Sequence, residues 1–137
     1  MSVLPSAGEL PIKAENDIVV ARRTVRDAAT QAGFAPTDVT RIVTAASELA
    51  RNVFKYAGEG VMQWRSIDSN NRAGIELQFI DQGPGIEDVN RAMEGGYSTG
   101  GGLGLGLPGA KRLADELEIV TAIGKGTTVT IRKWRKR

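Results

Sequence analysis

The chain has 137 residues, about one ordinary domain and enough to bury a core without staples. Cysteine and histidine are both absent, which excludes disulfides, thiolate or imidazole metal sites and a Ser-His-Asp triad within it, so any general base is a carboxylate or something rarer. The formal charge is +2, but Arg132, Lys133, Arg135, Lys136 and Arg137 hold five of the 18 basic residues, which leaves 13 against 16 acidic residues, or −3, for the rest.

The expected organisation is a single domain over 1–137, with 132–137 as a basic C-terminal tail. Such a tail reads first as a solvated end beyond the last strand and second as a weak nucleic-acid contact, so no nucleic-acid partner is expected. No apolar run approaches the ~20 residues of a membrane span. No basic start followed by an apolar stretch marks a signal peptide. A cytoplasmic protein with no membrane partner is the expectation.

In chain order, Glu9 to Lys13 suits a short edge strand. Asn16 is placed to cap a helix through about Ala32, with Ile18, Ala21, Val25, Ala28 and Ala32 on one face. Gly33 is a stop signal. Pro36-Thr37-Asp38 opens a second helix, with Val39, Ile42, Val43, Ala46, Leu49, Ala50 and Val53 as its apolar face and an end near Tyr56-Ala57-Gly58. Two strands follow, about Gly60–Ile67 and Gly74–Ile80, joined by a hairpin loop at Asp68-Ser69-Asn70-Asn71-Arg72. Glu87–Glu94 suits a short helix. Seven of the twelve residues from Gly95 to Gly106 are glycine, which predicts a mobile loop because glycine is costly to order. Leu107–Leu117 reads as a third helix. Glu118–Ala122 and Thr127–Lys133 read as closing strands joined at Gly124-Lys125-Gly126.

Four constellations carry chemistry. Glu48 and Asn52 are spaced i, i+4 and share a helix face. An amide oxygen suits Mg²⁺, and a carboxylate one turn away can take a proton from an incoming hydroxyl; an ordinary solvated pair gives the same spacing. Asp81-Gln82-Gly83-Pro84-Gly85 follows the alternating strand Ile75, Leu77, Phe79. Its carboxylate can accept from an exocyclic amine such as adenine N6, while Gly83 and Gly85 admit a flat ring; a plain Asp-initiated turn has the same residues. The glycine loop leads into a helix, so its N–H groups and the hydroxyls of Ser98 and Thr99 can bind phosphate, or it is a flexible linker. It is no Walker A loop, because Leu107-Pro108 follows Gly106, and it does not follow a strand as a Rossmann loop does. Last, Gly126-Thr127 is part of a tight turn, and a Thr127 hydroxyl facing a pocket can assist Asp81.

Together these motifs resemble the GHKL superfamily of gyrase, MutL, heat-shock chaperones and histidine kinases. Glu48 and Asn52 look like its N box, Asp81 to Gly85 like its first glycine box, Gly102-Leu103-Gly104-Leu105-Gly106 like its second, and Gly126-Thr127 like its third. The likeness covers about Ile12 to Trp134. Within the superfamily, Ala46 to Asn52, Tyr56-Ala57-Gly58 and Gly124 to Thr128 are most similar to the RsbT-type stressosome switch kinases, whereas sigma-binding relatives usually carry His-Gly where this chain has Tyr56-Ala57.

The resemblance implies an α+β fold, the two-layer α/β sandwich known as the Bergerat ATP-binding fold. Its helices lie on one face of a mixed, mainly antiparallel sheet. It implies ATP and Mg²⁺ as cofactors, Glu48 as general base, Asn52 as metal ligand, Asp81 as adenine reader, Gly83 and Gly85 as pocket wall, and Gly102, Gly104 and Gly106 as lid. Lys55 matches a basic position that touches phosphate in histidine kinases. The implied activity is a serine/threonine kinase acting on STAS-domain proteins, with a PP2C-type phosphatase as a further partner. An anti-sigma factor with serine kinase activity and a non-catalytic nucleotide-gated module are the alternatives. Between Gly95 and Leu107 there is no Arg or Lys, so a cation on the γ-phosphate has to come from elsewhere, such as Lys111 or Arg112.

Overall fold

The computed structural model describes residues 4–89, 93 and 106–136. Strand β1 (Ala7–Ile12) leads to α1 (Glu15–Gln31) and α2 (Pro36–Asn52), and α2 widens into a π turn over Val53–Ala57. Then come β2 (Gly60–Ser69), β3 (Arg72–Asp81), α3 (Gly106–Leu113), β4 (Glu116–Ala122) and β5 (Gly126–Trp134). The sheet order is β1-β2-β3-β5-β4. The expected mainly antiparallel sheet is antiparallel at all four of these pairings.

The registers sort the sheet into two faces, because side chains alternate along each strand. Ile12, Met62, Trp64, Leu77, Phe79, Val129 and Ile131 face the helices and join Val25, Val43, Leu49 and Val53 in one buried cluster. Each large apolar side chain buried there contributes about 1.5–3 kcal/mol. Helix α2 packs between α1 and α3, so its C-terminal end lies over the end of β3. The other face has no helix on it among the described residues. There Arg65, Glu76, Arg132 and Glu116 form one row across β2, β3, β5 and β4.

Where the elements depart from expectation, strand pairing, local hydrogen bonding or turn geometry is the reason. Strand β1 starts at Ala7 because Ala7 pairs with Arg65, and it tolerates Pro11 because it is an edge. Helix α1 starts at Glu15 with Ala14 as cap, not Asn16; the Asp17 carboxylate reaches back to accept from the Lys13 and Ala14 N–H groups at 2.8 and 3.0 Å. The β2–β3 connection is a two-residue turn at Asn70-Asn71, both at positive φ (53° and 63°), the backbone that lets a hairpin match the strand twist. The predicted third helix through Leu117 stops at Leu113. The Asp115 N–H donates to the Arg132 carbonyl at 2.9 Å, the Asp115 carboxylate accepts from the Trp134 N–H at 2.8 Å, and Glu116 pairs with Arg132. Of the helix expected over Glu87–Glu94, Met93 N–H donates to the Val89 carbonyl at 3.0 Å; residues 90–92 and 94 lie outside the described residues.

The basic tail is in large part built into the sheet. Arg132 and Lys133 belong to β5, Arg132 reaches Glu76, Glu116 and Glu118, and Lys133 reaches Asp115. The Arg135 carbonyl accepts from the Arg72 guanidinium.

Candidate active site

A cleft with a cavity volume of about 60 Å³ opens between the end of α2, the π turn, the end of β3, the start of β5 and the start of α3. Of the residues singled out in the sequence, Asn52, Asp81, Gly85 and Thr127 line it. Leu49, Val53, Phe79, Ile86, Leu107 and Val129 give it apolar walls, which suit the faces of a flat ring.

The polar end is made by register. Thr121, Thr127, Asp81 and Gly60 stand in one row across β4, β5, β3 and β2. Asp81 and Thr127 are direct cross-strand partners on the helix-facing side, so a carboxylate and a hydroxyl sit side by side at the cleft. The Asp81 Oδ1 accepts from the Gly83 N–H at 2.9 Å, which fixes the carboxyl group. Its second oxygen has no hydrogen-bond donor among the described residues, so an acceptor remains for a ligand.

Two glycines let the backbone close around this end. At Gly85 φ is +83°, and an added Cβ would lie 2.5 Å from the Ala122 carbonyl oxygen. At Gly126 φ is +101°, and a Cβ would lie 2.1 Å from the Asp81 carbonyl oxygen. Only a residue without a Cβ fits where the turn after β3 and the start of β5 are pressed this tightly. Gly83 is not part of the cleft wall; it packs on Ala57 and holds Asp81.

Asn52 is the last α-helical residue before the π turn, at the cleft wall. Its side-chain amide has no hydrogen-bond partner among the described residues, which leaves one hard oxygen for a cation. Glu48, one turn earlier, is not a wall residue. Its side chain is 40% exposed and makes a long 3.4 Å contact with the Arg51 guanidinium. Lys55 is exposed, with its Nζ 5.6 Å from the Tyr56 ring centroid. Gly106 begins α3. Ser98, Thr99, Gly102 and Gly104, and with them the mobile-lid expectation, lie outside the described residues.

The π turn and two side chains at or beside the cleft carry no signal in the sequence. The turn brings Val53, Tyr56 and Ala57 to the cleft, where an unbroken α-helix would have rotated them differently; such turns are frequent at functional sites. Burial pushes the Tyr56 phenol above its ordinary value, so it is a protonated hydroxyl at neutral pH. Thr121 is the other, since nothing in an exposed-looking strand announced that its hydroxyl meets Ile86, Gly126 and Thr127.

Residues 11–133 match the family described as the histidine kinase-like ATPase domain. The chain is 46% identical over 123 residues to the serine/threonine-protein kinase RsbT of Bacillus subtilis, which covers 90% of this chain and 92% of that one. It is 35% identical over 103 residues to an anti-sigma F factor of Caldanaerobacter subterraneus subsp. tengcongensis, 71% of either chain, and 28% identical over 120 residues to that of Priestia megaterium. With the cleft, its sheet and its helical layer in place, the chain belongs to the histidine kinase-like ATPase family, alongside the RsbT serine/threonine-protein kinase and the anti-sigma F factors.

Proposed function

We propose that this chain is an ATP-dependent serine/threonine protein kinase of a cytoplasmic partner-switching system, acting on STAS-domain regulatory proteins and binding a PP2C-type phosphatase as a separate activity. The observation that carries this reading is the convergence of Asn52, Asp81, Gly85 and Thr127 on one apolar-walled cleft. The 46% identity to a serine/threonine-protein kinase over nearly the whole chain supports the choice of reaction.

In this reading Asp81 and Thr127 hold the adenine amine and the apolar walls hold the ring. Asn52 would supply one oxygen to Mg²⁺, which when bound would neutralise phosphate charge. Glu48 takes the proton from the attacking serine or threonine hydroxyl; its partly exposed side chain suits an acceptor that must meet a protein substrate. Lys55, Ser98, Thr99 and the glycines of 102–106 are assigned to the phosphates.

The test is incubation with labelled ATP, Mg²⁺ and a STAS protein encoded beside this gene. Transfer of label to a serine or threonine of that protein is expected, and loss of transfer in Asn52→Ala with the fold intact. ATP binding without transfer to any such protein would leave only the nucleotide-gated module. The 35% identity to an anti-sigma F factor supports a second reading, sigma-factor sequestration; capture of a sigma factor by the pure protein separates it from the first.

A further inference from the structure

We infer that Thr121, on β4 and outside the cleft wall, is a positioning residue that sets the hydrogen-bond polarity of Thr127 and so makes the cleft discriminate a 6-amino from a 6-keto purine nucleotide. The inference rests on the adenine-nucleotide reading of the cleft and adds to it a residue and a specificity.

A threonine hydroxyl has one proton to donate and two lone pairs to accept with. The Ile86 N–H donates to Thr121 Oγ1 at 2.9 Å, which uses the first lone pair. The Gly126 carbonyl, which only accepts, lies 3.1 Å from the same oxygen. Thr127 Oγ1 lies 2.8 Å away, a distance that fits either direction. If Thr121 gave its proton to Thr127, its own oxygen would face the Gly126 carbonyl with two sets of lone pairs in opposition. Giving the proton to Gly126 and accepting from Thr127 satisfies every group. Thr121 then uses its full capacity, and the Thr127 proton points away from the cleft.

Thr127 is thereby left with lone pairs alone for a ligand. Beside it, Asp81 is also an acceptor, its Oδ1 already held by Gly83. Two adjacent acceptors match an amino group, which has two N–H donors. A keto oxygen in the same place meets lone pairs from Thr127 and has no donor to answer it. Burial of Thr127 keeps water from relieving the mismatch. Thr121 also ties the Ile86 turn to the start of β5, so it fixes the spacing of the two glycine segments around the base.

The experiment compares ATP and inosine triphosphate affinities by calorimetry in wild type, Thr121→Val and Thr121→Ser. Wild type is expected to prefer ATP. Thr121→Val frees the Thr127 proton to turn toward a keto oxygen, so the ATP:inosine preference falls about five- to tenfold, the scale of one hydrogen bond. Thr121→Ser restores it. In a Thr127→Val background, where the relayed hydroxyl is gone, Thr121→Val changes the ratio by less than about twofold, because the two residues act as one unit. If Thr121→Val does not fold, Thr121→Cys, with weak hydrogen bonds at similar volume, is expected to move the ratio in the same direction. Equal loss of both affinities with an unchanged ratio overturns the inference, because it shows a purely structural threonine, and leaves the ATP reading standing. Wild type that binds neither nucleotide overturns the ATP reading and this inference with it.

Discussion

Strand β3 carries two carboxylates five residues apart on opposite faces of the sheet, and their surroundings differ completely. Glu76 is on the face without helices yet only 4% exposed, because the Arg65 and Arg132 side chains close over it. Its oxygens accept from Arg65 Nε at 2.6 Å and Arg132 Nε at 2.8 Å. Hydrogen bonding to Arg65, and less strongly to Arg132, holds its carboxyl below the ordinary carboxylate range, while Glu76 and its neighbours raise the Arg132 guanidinium further. Asp81, at the end of the same strand on the helix-facing side, has one oxygen held by a backbone N–H and no cation within reach among the described residues. A carboxylate with its charge answered serves the fold. One that is positioned and left with spare accepting capacity is the one proposed to serve a ligand.

The contrast can be broken most strongly on the cleft side. Glu48→Gln keeps the shape and removes the proposed proton acceptor; phosphorylation of a STAS serine is expected to fall about 10²–10⁴-fold. ATP affinity should stay within a few-fold, as calorimetry and a labelled-phosphate assay on the same sample would show. Undiminished transfer would take the base role from Glu48.

Asp81→Asn comes next. It replaces a pure acceptor with a group that can present a donor to the amine, and ATP affinity is expected to fall about 10- to 100-fold. Unchanged affinity would remove Asp81 from the site and erase its difference from Glu76.

The smallest effect belongs to Glu76→Gln, which should leave ATP binding unaltered and change stability instead. The folded-state value of Glu76 is lowered, so its stabilising contribution is complete above the ordinary value of 4.5 and is lost as pH falls through the folded value. At neutral pH the variant should melt below wild type. The gap should narrow as pH drops below 4.5, which thermal melts across pH would reveal. Because Arg65 is largely exposed, water screens its part of the bracket and the effect stays modest. A gap that is constant across pH would mean that Glu76 acts by packing and not by charge.

Much of this was legible in the chain itself. The alternation of Ile75, Leu77 and Phe79 and the apolar stripe of the second helix are local patterns, and they name the buried face without help from the rest of the molecule. That Asn52, Asp81, Gly85 and Thr127 would gather at one cleft was legible because residues at fixed spacing survive any uncertainty about boundaries. The early end of α3 was not, because Ala114 to Leu117 has no stop signal; capture of Asp115 by β5 decides it. The same cause hid the structural role of Arg132, which as part of a run of basic residues looks like a solvated tail until β3 and β4 bring Glu76, Glu116 and Glu118 to it.

The sequence by itself determined which faces are apolar, where the hairpins turn and which side chains are candidates for ligand chemistry, because these depend on residues a few positions apart. Only the tertiary structure decided that Asp81 and Thr127, 46 positions apart, are neighbours, that the end of the second helix opens into a π turn over the cleft, and that the Thr121 hydroxyl lies 2.8 Å from that of Thr127. Those outcomes depend on strand register and on hydrogen-bond partners brought together across the sheet, and neither is fixed until distant segments pack against each other.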